Sequence, residues 1–350
     1  MSLMWADGFE NASLWGKAYT LNPSNLPTLG TGRNGGGIDM SPSANPGEFI
    51  WDFPAADQHA TITFGVAMWF GSTSSGGFPN STSTPFFTLY GDGQSTLHTQ
   101  GYFAGGAGGN LIVTRGTSNL GTTSGLSFTT DTWYYLEVQA TLNDSTGAIT
   151  VKGNGTTILS LTGQDTKNGG TGSVYTAIGF RARSSIAVGH AVVDDLYVLN
   201  GAGSVYNSFL GDVTVETLRP DGNGNYSQWT GSDGNSTDNY LLVDEATYDV
   251  ADYVSSSTTN NKDTYTYGAL TASSGAVKGV VAKAVAAKTA SGSQDYRQIT
   301  RISSTDYNGA TTALDTSDLP RRQVWEQSPA TASDWTISEV NGAEFGVEVL

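Results

Sequence analysis

Between Ala60 and Leu199 the chain alternates. Ile62, Phe64, Val66, Met68 and Phe70 are separated by Thr61, Thr63, Gly65 and Ala67. A period of two sends successive side chains to opposite faces, so this run is a strand with one buried face. Tyr134, Leu136, Val138, Ala140 and Leu142 repeat the pattern, with Glu137, Gln139 and Thr141 turned the other way. The runs 148–152 and 156–161 flank Gly153-Asn154-Gly155, where Asn-Gly supplies the positive φ of a tight hairpin turn. Two more strands are expected, one carrying Val174, Thr176, Ile178, Phe180 and Ala182, the other Val188, Val192, Leu196 and Val198. Strands this short and frequent, with Gly-rich spacers at 105–109 and 169–170, argue against a helical bundle and against βαβ units. The expected fold is all-β, an antiparallel β-sandwich or jelly roll.

At 350 residues the chain is about twice a typical domain, so two domains are expected. Asn200-Gly201-Ala202-Gly203 reads as the linker, giving a jelly roll over 1–200 and a smaller β-sandwich over 201–350. In the second part Val213, Val215 and Leu218 suggest a short strand, and the polar run 221–238 reads as loop. The run 276–288 fits a helical face and a strand face equally. Its Ala and Lys favour helix by propensity, but its β surroundings make strand the expectation. The chain closes with a loop at 334–337 and a strand at 344–349.

Composition restricts the chemistry. Only 14% of the residues are charged against about 25% in an ordinary domain, and 45 are glycine, as befits many turns. The formal net charge of -16 repels phosphate backbones, so no nucleic-acid partner is expected. Without cysteine there is no disulfide, thiolate metal site or thiol nucleophile. Met1–Asp7 lacks the basic start of a secretory signal, and no run approaches the about 18 apolar residues of a membrane span.

His59, His98 and His190 stand apart from other ligand types and read as loop or strand-face histidines. Asp194-Asp195 and Asp244-Glu245 are adjacent pairs, which on a strand point to opposite faces and cannot straddle one glycosidic bond. Asp92, Asp194 and Asp195 could offer oxygens to a structural Ca²⁺; the competing reading has them accept N–H groups of neighbouring loops. Trp5, Trp15, Trp51, Trp69 and Trp133 could stack on sugar rings or fill the core, and Trp51 is the candidate carbohydrate-binding residue. No phosphate loop, nucleophile elbow or dinucleotide fingerprint is present.

Several short motifs are spread in order over almost the whole chain. They are Asp7-Gly8-Phe9-Glu10, the Gly32-Arg33-Asn34-Gly35-Gly36 turn, Asp131-Thr132-Trp133-Tyr134-Tyr135-Leu136-Glu137, and the hairpin from Thr146-Gly147 to Asn154-Gly155. Asp194-Asp195-Leu196-Tyr197-Val198, Asn207-Ser208-Phe209-Leu210-Gly211-Asp212 and Leu218-Arg219-Pro220-Asp221-Gly222 follow. Val243-Asp244-Glu245, Trp335-Thr336 and Glu344-Phe345-Gly346-Val347 complete the set. Together they resemble virion structural proteins of tailed bacteriophages built on a concanavalin A-like, or laminin-G-like, lectin/glucanase jelly roll.

The resemblance implies a component of the head or tail surface of a virion, which leaves the cell by lysis. It implies assembly with other virion proteins, self-association that is usually trimeric in fibre-like parts, and contact with host surface glycans. Glucanases on this type of sandwich place carboxylates two or more apart on one strand, as Glu-x-Asp-x-Glu. Glu137 stands alone on its strand, so a non-enzymatic structural protein is expected. A carbohydrate-binding adhesin is the second expectation and a polysaccharide depolymerase the third.

Overall fold

A computed structural model of the chain describes residues 1–11, 15–21, 28–40, 48–71, 85–104, 109–181 and 191–350. The chain divides into two units, Met1–Val215 and Glu216–Leu350.

In the first unit two antiparallel sheets enclose one core, a β-sandwich. With strands numbered in chain order, the first sheet runs β13 (Thr156–Gln164), β12 (Gly147–Gly153), β11 (Trp133–Thr141), β6 (Thr61–Phe70), β15 (Ala191–Leu199), β4 (Gly36–Asp39) and β3 (Thr28–Thr31). β1 (Leu3–Asp7) also pairs with β15. The second sheet runs β10 (Ser118–Thr122), β9 (Asn110–Arg115), β8 (Thr96–Ala104), β7 (Phe87–Gly91), β14 (Ala177–Arg181), β5 (Glu48–Asp52) and β2 (Thr20–Leu21).

The alternation in β6 explains the layering. Ile62, Phe64, Val66 and Met68 are fully buried between the sheets. Phe64 of the first sheet meets Phe87 and Phe180 of the second at ring-centroid distances of 5.1 and 5.6 Å, edge to face, a geometry that adds to the area they bury. Ala182 and Val188, expected in strands, lie outside the described residues.

The second unit has a five-stranded antiparallel sheet ordered β16 (Pro220–Ser227), β19 (Lys262–Tyr267), β24 (Glu344–Val349), β21 (Asp295–Ile302) and β22 (Thr305–Ala313). Two ribbons accompany it, β17 (Thr230–Gly231) with β18 (Val254–Ser255) and β20 (Val280–Ala286) with β23 (Leu319–Trp325). The core gathers Ile302, Trp325, Trp335, Val340, Ala343 and Phe345. Trp335 is fully buried and donates its indole N–H to the Trp325 carbonyl at 3.1 Å.

Three local expectations change. Pro220–Ser227, expected as loop, is an edge strand that pairs only with β19, so one flank stays open and its polar residues remain half exposed. Val213–Leu218 forms no strand. A short helix, Ile337–Gly342, precedes β24. Thr336 Oγ1 accepts the Glu339 N–H at 3.1 Å while the Glu339 carboxylate accepts the Thr336 N–H at 3.0 Å, a reciprocal cap that satisfies two donors otherwise left without partners. The 276–288 run forms β20 over Val280–Ala286.

Candidate functional site

The outer face of the first sheet carries an unusual row. Register aligns Trp133 of β11 with Trp69 of β6, Trp69 with Val192 of β15, and Val192 with Asp39 of β4. Because Met68 and Phe70 point inward, Trp69 must point outward. Both tryptophans are half-buried, and with Gly30, Thr31, Gly32, Asp39 and Val192 they line a groove of ≈ 310 Å³. One wall of this groove is backbone. A Cβ at Gly32 would lie 2.2 Å from the Gly36 carbonyl oxygen and 2.5 Å from Asp194 Oδ2, so no larger residue fits there.

Trp51 is not part of this face. It is 4% exposed, stacked on Trp5 at 5.3 Å and packed against Phe53, because β5 turns it toward the core. The expectation of a sugar platform at Trp51 is therefore corrected: the tryptophans that face outward on this sheet are Trp69 and Trp133. The side chain of Trp15 and all of His190 lie outside the described residues.

Asp194 and Asp195 break the alternation. Register against β6 slips between Asp194 and Tyr197, and Asp195 adopts φ 51°, a bulge that turns both carboxylates toward the Gly32–Gly36 turn. Asp194 Oδ2 accepts the N–H groups of Arg33 (2.7 Å) and Asn34 (3.2 Å), and Asp194 Oδ1 accepts that of Asp195 (2.7 Å). Asp195 Oδ2 accepts Arg33 Nε at 2.8 Å, and its Oδ1 accepts the Val215 N–H at 2.7 Å. Asp92 lies elsewhere, in the turn after β7, where its carboxylate accepts Thr96 Oγ1 at 3.0 Å and the Gly172 N–H at 2.8 Å. The three aspartates proposed as Ca²⁺ ligands are thus not brought together. Among the described residues no three His, Cys, Asp or Glu side chains cluster around a metal position.

Burial pushes the Asp194 carboxyl up to about 7, aided by the charge of Asp195 and opposed by the N–H groups it accepts. Asp195 is also raised, again chiefly by burial, with the Val215 N–H and Arg33 pulling the other way. A carboxyl lifted to about 7 from its ordinary value near 4 holds a proton in the folded state that the unfolded chain has lost. Stability is then gained as pH falls from about 7 toward 4 and lost as it rises. Urea midpoints of the first unit are expected to be higher at pH 5 than at pH 8; the reverse order would show that the N–H donors outweigh burial.

Beside the groove a strap crosses the same face. Seven consecutive residues each hold one anchor. Phe209 lies under Lys152 Nζ at 4.3 Å, Leu210 N–H donates to Tyr197 Oη at 3.2 Å, and Gly211 N–H to Glu137 Oε1 at 2.8 Å. Asp212 and the Val213 carbonyl both accept from the Arg33 guanidinium at 2.5 Å, Thr214 Oγ1 accepts from Asn34 Nδ2 at 3.5 Å, and Val215 N–H meets Asp195. Glu137 is 1% exposed, and its Oε1 also accepts the Tyr197 hydroxyl at 2.5 Å. Gly65 makes room for this arrangement, since a Cβ there would come 2.2 Å from Tyr197 and 2.8 Å from Tyr135.

Two histidines have ordinary structural roles. His98 is fully buried with Nδ1 accepting the Asn168 N–H at 3.1 Å, and burial lowers its pKa. His59 Nδ1 accepts the Thr61 N–H at 3.3 Å.

No protein-family model and no curated protein sequence matches the chain. Solved structures resemble part of the chain. Alginate lyase Aly36B is 14% identical, with 62% of this chain and 95% of the lyase covered at a TM-score of 0.38. Peanut lectin is 10% identical, with 56% and 96% covered at 0.36. A mutant Trypanosoma rangeli sialidase is 13% identical, with 50% of this chain but only 27% of the sialidase covered at 0.34. The similar structures thus include a lectin, an alginate lyase and a sialidase. The expectation that this chain is not an enzyme is withdrawn: the similar structures include a lyase and a sialidase as well as a lectin.

Proposed function

We propose that the first unit is a saccharide-binding module whose contact surface is the Trp69–Trp133 groove. The observation that carries this reading is the cross-strand register that sets two half-buried indoles side by side on an outer sheet face, next to a wall of glycine backbone. An indole offers a flat apolar face to the C–H side of a pyranose and an N–H to its rim. Asp39 and Thr31 supply oxygens able to accept or exchange hydrogen bonds with sugar hydroxyls.

Replacing Trp69 or Trp133 by alanine is expected to weaken glycan binding at least about tenfold each, about 1.4 kcal/mol, with little change in the thermal midpoint. Trp51→Ala, in the core, is expected to lower the midpoint instead. Glycan-array binding and thermal denaturation of the three variants test this. Undiminished binding in both groove variants would remove the reading.

The setting we propose is the surface of a tailed-phage particle, where many copies turn weak contacts into avid ones. Its support is the ordered set of motifs from Asp7 to Val347. Peptides of this chain in purified phage particles, detected by mass spectrometry, are the expected result; their absence from particles of a phage that encodes it would remove the proposal.

A further inference from the structure

We infer that residues 209–215 are a built-in occupant of a second glycan site on the outer face, which takes a sugar bearing a carboxylate, such as a uronate, when the strap is displaced. This inference rests on the saccharide-binding reading for the kind of ligand, and adds the site, the ligand's charge and the control of access. Tyr135 and Glu137 on β11 and Tyr197 on β15 alternate with core residues, so they face away from the sandwich interior. Each is nevertheless only 1% exposed. Gly65 on β6 is the register partner of both Glu137 and Tyr197, and without a side chain it leaves the sheet face hollow between them. The strap reaches these groups through polar contacts, and no residue from Gly203 to Val215 is buried. A cover fastened without buried apolar area is among the first parts of a fold to open.

The strap's contacts give the chemistry of what it replaces. Leu210 and Gly211 bring N–H donors to the Tyr197 hydroxyl and to Glu137 Oε1, as two sugar hydroxyls do. Glu137 Oε2 is buried without a hydrogen-bond partner, so the site holds an acceptor that the strap leaves unused. At the other end Arg33 Nη1 and Nη2 donate to the Asp212 carboxylate and the Val213 carbonyl, while Nε stays on Asp195. Two terminal nitrogens of one guanidinium match a single carboxylate. Asp212, whose side chain is 53% exposed, therefore stands in for the ligand's carboxylate. Exchanging one carboxylate for another leaves the charge of the site unchanged. Glu137 lies four residues along β11 from Trp133 on the same face, about 13 Å away. A glycan of a few rings running along the strand spans from the indoles to the strap's place.

The test compares the full chain with Asp212→Ala and Gly211→Pro, using oligouronates and neutral hexose oligomers at physiological salt, with hydrogen exchange read at residues 209–215. Asp212→Ala removes the stand-in carboxylate. Gly211→Pro removes the N–H held by Glu137 and cannot adopt the φ of 86° found there. Both variants are expected to exchange faster in the strap and to bind oligouronates at least about tenfold more tightly than the unaltered chain, because the open state is already populated. Neutral oligomers are expected to bind all three proteins alike. In the unaltered chain, saturating oligouronate is expected to speed exchange at 209–215. Oligouronate binding that is equal in the three proteins, or that leaves strap exchange unchanged, overturns this inference but leaves saccharide binding standing. So does binding of neutral oligomers alone. Failure of every sugar to bind any of the three proteins removes both.

Discussion

Arg33→Met is expected to destabilise the first unit by about 3–5 kcal/mol, because it leaves the buried Asp195 carboxylate without the cation that faces it. Asp194 and Asp195 are both fully buried, and Arg33 Nε is the cationic contact of Asp195 at 2.8 Å. The same guanidinium holds Asp212 and the Val213 carbonyl and stacks 5.2 Å from the Tyr135 ring. Removing it therefore breaks the Asp195 contact and the strap together. Arg33→Lys keeps the charge but not the planar fork that reaches three acceptors, so its loss is expected to be intermediate. Urea denaturation gives the free energies, and hydrogen exchange at residues 209–215 gives the local effect. A loss under about 1 kcal/mol in Arg33→Met, with unchanged exchange in the strap, would show that the cluster does not hold that segment.

The second large effect is expected in the other unit. Trp335→Ala empties the centre of a core that contains only a few large side chains, at a cost of about 3–5 kcal/mol. Trp335 packs beside Phe345 at 6.3 Å and ties its indole N–H to the Trp325 carbonyl. A domain's entire stability is about 5–15 kcal/mol, so residues 216–350 are expected to lose most of their hydrogen-exchange protection. Trp335→Phe keeps much of the volume but leaves the Trp325 carbonyl without its donor, and its cost is expected to be smaller. Full protection in Trp335→Ala would mean that the sheet, not this cluster, carries the unit.

Much of the sandwich was legible because β6, β11 and the β12–β13 hairpin alternate large apolar with small or polar residues. The same phase rule also contained the site. Trp69 sits in phase with Thr61 and Thr63, and Trp133 in phase with Glu137 and Gln139, whereas Trp51 shares its phase with Phe49 and Phe53. Five tryptophans treated as one residue type hid that distinction. The cap on Ile337–Gly342 was equally readable as Thr336-x-x-Glu339. The bulge at Asp195 was not, since one residue of slip reverses every inference about facing and leaves no local signature. Nor could alternation reveal how 209–215 is held, because its partners Arg33, Glu137 and Lys152 lie far away in sequence.

That segment has a mechanical consequence. Between Gly203 and Val215 no residue is buried, so the stretch is fastened by discrete polar points rather than by apolar area, and it ends where the second unit begins. Such a fastening releases stepwise, like stitches, once its first points yield. Residues 203–215, once released, can extend over up to about 40 Å ahead of Glu216.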